Sequence, residues 1–221
     1  MMLLHLRPTF GLMGGVDLAV LALGAGAFAL ALALIYSPNG PASLLKTIFY
    51  PLFVAVVFVQ GIHVVEHVVQ LVQVYAFGIP DDEALGLLGY VLAIQGTEEW
   101  LHLVFNSVYL LSLYALALPL LWLTPRTVPA WAFGAFALAA LGLETWHVVE
   151  HMVIVSNVIR NGGCPCPGIS DRVLGVTDTQ LHFVYNAVAY AGTVIPFWYV
   201  VRGRRRDPAS ANSSMAAASL A

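Results

Sequence analysis

"HVVEH" spans His63–His67 and returns, letter for letter, at His147–His151, in a 221-residue chain that is 60% hydrophobic and only 10% charged. Residues three and four apart share one face of a helix, so each copy sets two histidines and a glutamate side by side. The runs around both copies are apolar. A bilayer core of ~30 Å needs ~20 residues of helix to cross it. Five segments meet that length, near Val16–Tyr36, Tyr50–Phe77, Thr97–Leu123, Pro129–Asn161 and Thr177–Arg202. The expected fold class is therefore an all-α integral membrane protein with five transmembrane helices. The first segment is too long for a signal-peptide core and is followed by no convincing cleavage site. The terminal "SANSSMAAASL" is small and polar, which predicts a disordered tail.

The repetition is wider than the pentapeptide. "TEEWLHLVFN" (Thr97–Asn106) is matched 80 residues later by "TDTQLHFVYN" (Thr177–Asn186), and "GIPD" at Gly78 by "GISD" at Gly168. The chain reads as a leading helix followed by two copies of a helical hairpin that close into a four-helix bundle. The expected divisions are 1–43 for the N-terminal region and first span, 44–127 and 128–206 for the two hairpins, and 207–221 for the tail. Both copies enter the bilayer from the same side, so their symmetry axis is expected along the membrane normal. Thr97 and Thr177 sit as helix N-caps, and Gln180 completes a capping-box pattern with Thr177.

Basic residues set the orientation. Lys46, Arg126, Arg202, Arg204, Arg205 and Arg206 fall on one side; Arg7, Arg160 and Arg172 fall on the other, with Asp81, Asp82 and Glu83. This predicts a cytoplasmic C-terminus and an outside N-terminus, with the plasma membrane as the location. The lipid bilayer is the expected partner, together with an apolar small-molecule substrate. A formal net charge of −3 gives no reason to expect a nucleic acid, and the sequence names no protein partner.

The polar residues inside the spans carry the chemistry. Six of the seven histidines lie in the repeated blocks: His63, His67, His102, His147, His151 and His182. Glu66, Glu98, Glu99, Glu144, Glu150 and Asp178 accompany them, without Lys or Arg in the same stretches. An ionised group at the centre of a membrane helix costs ~2.5–3.5 kcal/mol even on the milder scales. Several acids without basic partners call for protonation, water or a bound cation. Neutral imidazole and carboxylate are both ligands for transition metals. The expected ligand set is His63, His67, His102, His147, His151 and His182, with Glu66, Glu150 and Glu144 bridging metals or moving protons. Glu98, Glu99, Asn106, Asp178 and Asn186 are candidates for ligation or for support of the ligands, and acids in a first turn also complement the helix dipole. Two metal ions are expected, iron first and copper or zinc as alternatives.

Glu99–His102 ("EEWLH") and Glu144–His147 ("ETWH") have a spacing that resembles the Glu-x-x-His pairs of carboxylate-bridged di-iron helical bundles. The resemblance covers spacing alone. Histidines are more numerous here, and Gln60 and Thr179 stand at the symmetry-related positions of the two glutamates. The expected function is a membrane metalloprotein with a multinuclear site, in its catalytic version an oxidoreductase acting on an apolar or lipid-like substrate. A transporter for metal ions or protons is the competing class, but "YPLFVAVVFV" and "AWAFGAFALAALGL" make the inner halves of two spans almost wholly apolar. Haem ligation leaves several histidines unused, and the inverted zincin pattern His-x-x-Glu-His needs one motif where this chain has two. Cys164 and Cys166, in "GGCPCPG", are too close to define a metal site by themselves.

Overall fold

The computed structural model describes residues 42–87, 98–123, 127–161 and 168–206; side chains at 42–47, 82, 98–99, 122–123 and 204–206 are not described. The expected first span, the C-terminal tail, Thr97, Cys164 and Cys166 lie outside the described residues.

Helix α1 covers Ala42–Phe77 and α2 covers Glu98–Leu123. Helix α3 runs through three consecutive stretches: α-helical Ala130–Ala135, a wider π-helical Phe136–Gly142, and α-helical Leu143–Asn161. A short α4, Ile169–Leu174, precedes α5, Asp178–Arg206. Helices α1, α2, α3 and α5 are long and apolar enough to cross a membrane. No strand occurs among the described residues.

The four long helices form a ring. Helix α1 packs on α2 and α5, and α3 packs on the same two. Each therefore offers one face to the interior and one to the surroundings. The outward faces are apolar: Phe58 is 67% exposed and Leu138 is 78% exposed, and Val65, Val104, Val108 and Val184 are exposed with them. The interior carries the polar groups, since Gln60, His67, Asn106, Glu144, His147, His151 and Asn186 are buried. Apolar outside with polar inside inverts the pattern of a water-soluble bundle and agrees with four helices long and apolar enough to cross a membrane.

Two levels stack inside the ring. One half is a dry core of Phe49, Phe53, Val56, Leu113, Leu116, Leu120, Val128, Ala132 and Phe136. Phe53 meets Phe197 of α5 edge-on at 5.1 Å between centroids. This half corresponds to the apolar runs noted in the sequence. The π-helical stretch lies between it and the polar half. Its wider turns change the phase of everything that follows, and Glu144, His147 and His151 then lie buried on one face of α3. Gly192 allows α5 to close on this stretch: a Cβ there would lie 2.9 Å from both the Ala139 Cβ and the Ala140 backbone nitrogen.

Thr177 and Gln180 form the expected capping box at the start of α5. The Thr177 N–H donates to Gln180 Oε1, and the Gln180 N–H to Thr177 Oγ1, both at 3.3 Å.

Candidate metal centre

All six motif histidines converge. His63 and His67 lie one turn apart on α1 with Nε2 atoms 3.2 Å from each other. His147 and His151 repeat this on α3 at 3.0 Å. His182 of α5 brings its Nε2 to 3.1 Å from that of His151. His102 of α2 lies between the pairs, with its ring centroid 5.5 Å from His151, 5.7 Å from His182 and 5.8 Å from His67. Five of the rings are buried, and His102 is half-buried.

The distances pair off between the two halves. His67–His182 at 5.8 Å is matched by His102–His151 at 5.5 Å, both stacked. His63–His102 at 5.9 Å is matched by His147–His182 at 5.2 Å. His63 packs on Phe105 at 4.2 Å, and His147 on Tyr185 at 5.0 Å.

His147, His151 and His182 offer three ligand atoms within 4.8 Å of one another. Their outer nitrogens show which way the lone pairs point. His147 Nδ1 lies 3.4 Å from Glu144 Oε2. His182 Nδ1 lies 2.9 Å from the Asp178 carbonyl oxygen and 3.1 Å from its carboxylate. His67 does the same on α1, with Nδ1 2.7 Å from the Gln70 side-chain oxygen. The Asp178 carbonyl can only accept, so it holds the His182 proton on Nδ1 and leaves Nε2 as a lone pair facing inward; the Glu144 and Gln70 oxygens suit the same tautomer in His147 and His67. In the triad, Nε2 of His147 and of His182 both face Nε2 of His151. A single proton on His151 can serve only one of those contacts, so a cation resolves the convergence that a proton cannot. The spacing fits one: ligands bonded at ~2.0–2.1 Å lie roughly 2.9–3.4 Å apart for right-angle or tetrahedral geometry.

No protein-family model matches this chain, and neither a curated protein nor a solved structure matches it. The site is therefore read from its own geometry.

The repeated glutamates are engaged by loops. Glu66 Oε2 accepts the Leu87 N–H at 3.0 Å, beyond the end of α1. Glu150 Oε1 accepts the Ser170 N–H at 2.5 Å, and its Oε2 the Ser170 hydroxyl at 3.1 Å. Glycines make room for both carboxylates. A Cβ on Gly86 would lie 2.2 Å from Glu66 Oε1, and one on Gly168 2.4 Å from Glu150 Oε1. These two carboxylates, expected to bridge metals, thus also hold the segments that follow α1 and α3. The reason is the N–H groups of a chain leaving a helix, which need acceptors wherever water is scarce.

The remaining candidates divide. Asp178 supports His182. Asn186 accepts the Gln60 Nε2–H at 2.7 Å and donates Nδ2 to the His182 carbonyl at 2.9 Å. Asn106 is fully buried, yet its Oδ1 and Nδ2 meet no hydrogen-bond partner among the described residues. Glu144 is also fully buried and has an unpartnered Oε1. A buried unsatisfied group costs ~1–3 kcal/mol. The side chains of Glu98 and Glu99 are outside the described set.

Sequence reading missed several partners. Gln70 is three residues after His67, a same-face spacing that signals a supporting acceptor. Gln73 accepts the Gly86 N–H at 2.9 Å. Tyr185 donates to Ser170 Oγ at 2.7 Å and receives Trp146 Nε1–H at 3.0 Å. This network has no signature in spacing, because Trp146, Ser170 and Tyr185 come from three elements.

Proposed function

We propose that this protein is an integral membrane metalloprotein whose histidines hold two transition-metal ions, and that it works as an oxidoreductase on an apolar or lipid-like substrate. The observation that carries the metal is the inward convergence of Nε2 from His147, His151 and His182, with the Nδ1 atoms of His147 and His182 turned to acceptors. His63, His67 and His102 supply the second position. The paired ring distances support that assignment, and they support reading 44–127 and 128–206 as two copies of one hairpin. Imidazole suits iron, copper and zinc alike. Glu66 and Glu150 are engaged by loops and Glu144 faces His147 Nδ1, so the choice among these metals rests on the imidazoles.

Access from the bilayer supports the apolar substrate. His102 is the half-buried member of the cluster, and the exposed Leu101 and Val104 flank it on α2. The dry core of Phe53, Leu113, Leu116 and Phe136 fills the other half of the bundle, which argues against a continuous polar route and hence against the transporter. The excess of Lys and Arg at the end of that core supports a cytoplasmic position for it and an outer position for the histidines.

The test is elemental analysis of the detergent-purified chain, beside a His147→Ala/His151→Ala variant. Two equivalents of iron or copper in the parent, falling in the variant, support the reading. A metal-replete preparation that binds none removes it.

A further inference from the structure

One helical turn inward from the histidines, each long helix contributes one polar side chain. Gln60 precedes His63 by three residues and Glu144 precedes His147 by three; Asn106 follows His102 by four and Asn186 follows His182 by four. Helices α1 and α3 run opposite to α2 and α5, so these spacings place all four on the same side of the histidine level. All four are fully buried.

In one half, the layer is complete. The Gln60 amide donates to Asn186 Oδ1 at 2.7 Å, and Asn186 Nδ2 donates to the His182 carbonyl. The corresponding pair in the other half is Glu144 and Asn106. Glutamate keeps the length of glutamine but lacks its N–H donors. A carboxylate cannot donate to Asn106 Oδ1 as Gln60 donates to Asn186 Oδ1, and the reverse contact, from Asn106 Nδ2 to Glu144, is not made in this structure. In this structure Glu144 Oε1, Asn106 Oδ1, Asn106 Nδ2 and the side-chain oxygen of Gln60 meet no hydrogen-bond partner among the described residues. Three oxygens and one amide nitrogen of this buried layer are thus left without a partner among the described residues.

We propose that this layer is a second, oxygen-lined cation site, held by Glu144, Asn106 and Gln60 and taking a monovalent ion of sodium's kind. Carboxylate and carboxamide oxygens are hard ligands, unlike the imidazoles one turn away. One carboxylate balances one positive charge, whereas a divalent ion would leave net charge in an apolar interior. The dry core closes the layer from the cytoplasmic end, so the ion enters and leaves past the histidines. Glu144 Oε2 faces His147 Nδ1, and the same carboxylate therefore ties the cation to the orientation of a histidine in the metal centre.

The experiment measures radiolabelled sodium binding and the melting temperature of the full chain in detergent, in sodium chloride against choline chloride at equal ionic strength. The parent is expected to bind sodium and to melt several degrees higher in it. Glu144→Gln restores the donor that Gln60 has, so it is expected to lose sodium binding while melting in choline at least as high as the parent. A His151→Ala variant stripped of transition metal is expected to retain sodium binding, which separates this site from the metal reading. A parent whose stability depends on pH but not on sodium places a proton on Glu144 and overturns the proposal, as does stabilisation by magnesium or calcium alone. Loss of sodium binding in His151→Ala overturns it as an independent site.

Discussion

His151 and His182 meet Nε2 to Nε2 at 3.1 Å across the interface of α3 and α5, while the far nitrogen of His182 is held at 2.9 Å by the Asp178 carbonyl. The second contact fixes the tautomer that makes the first one cation-seeking. His182→Ala removes one corner of the triad and leaves His63, His67 and His102 untouched. The variant is expected to retain roughly half of the parent's bound metal, because affinity at each position depends on its own ligand set. Elemental analysis with protein quantified by amino-acid composition reads this out. Full metal content in His182→Ala would show that the triad is not a ligand set.

Asp178 supports His182 twice, through its carbonyl and through a carboxylate oxygen at 3.1 Å that is 46% exposed as a side chain. Asp178→Ala deletes only the second support. Loss of an outer support costs ~10–100-fold in metal affinity, and the surviving carbonyl places this variant at about 10-fold. Competition with a chromophoric chelator measures it. An unchanged affinity would assign the orientation of His182 to the main chain alone.

The long helices, the inward histidines and the capping box of Thr177 are legible in the sequence because each rests on local spacing. The role of Glu66 and Glu150 is not. Their spacing to the histidines is the same whether the carboxylate turns toward the cluster or away from it. What meets it is the backbone of the next segment: the N–H groups of Leu87 and Ser170, each close after a glycine, Gly86 or Gly168, that leaves room for the carboxylate. Helical periodicity cannot report a contact made by a returning loop. The π-helical stretch of α3 is likewise invisible in "FALAALG", which has ordinary helix formers; in the structure it lies close against Gly192 of α5.

Tyr109 and Thr193 join α2 to α5 by a 2.9 Å hydrogen bond. The Thr193 hydroxyl already donates to the Ala189 carbonyl at 2.9 Å, so Tyr109 is the donor. Tyr109→Phe therefore leaves no orphaned proton on its partner, and a loss of about 1 kcal/mol is expected, the net worth of one neutral hydrogen bond. Thr193→Val strands the tyrosine hydroxyl and is expected to cost more, ~1–3 kcal/mol. Chemical denaturation in mixed micelles ranks the two. The opposite order would make Thr193 the donor to Tyr109.

Gly168 offers the sharpest test of whether Glu150 anchors the loop or belongs to the ligand set. Its φ of −66° is open to any residue, so substitution carries no backbone strain. The obstacle is steric, a new Cβ 2.4 Å from Glu150 Oε1. That carboxylate is not free to swing aside, since Ser170 holds both its oxygens. Gly168→Ala is expected to destabilise by ~1–3 kcal/mol, the range for overpacking a closed site. Gly134→Ala, where a Cβ meets nothing within 4 Å inside a helix, is the control and is expected to be neutral or stabilising by up to ~1 kcal/mol. The decisive variant is the double one. If Glu150 grips the loop, Glu150→Ala removes both the grip and the clash, and Gly168→Ala added to it costs little further. The two effects are then strongly non-additive, as for residues in direct contact. Metal content measured on the same proteins separates the two roles of Glu150. Retention of metal in Glu150→Ala with loss of stability identifies an anchor, whereas loss of metal at unchanged stability returns Glu150 to the ligand set.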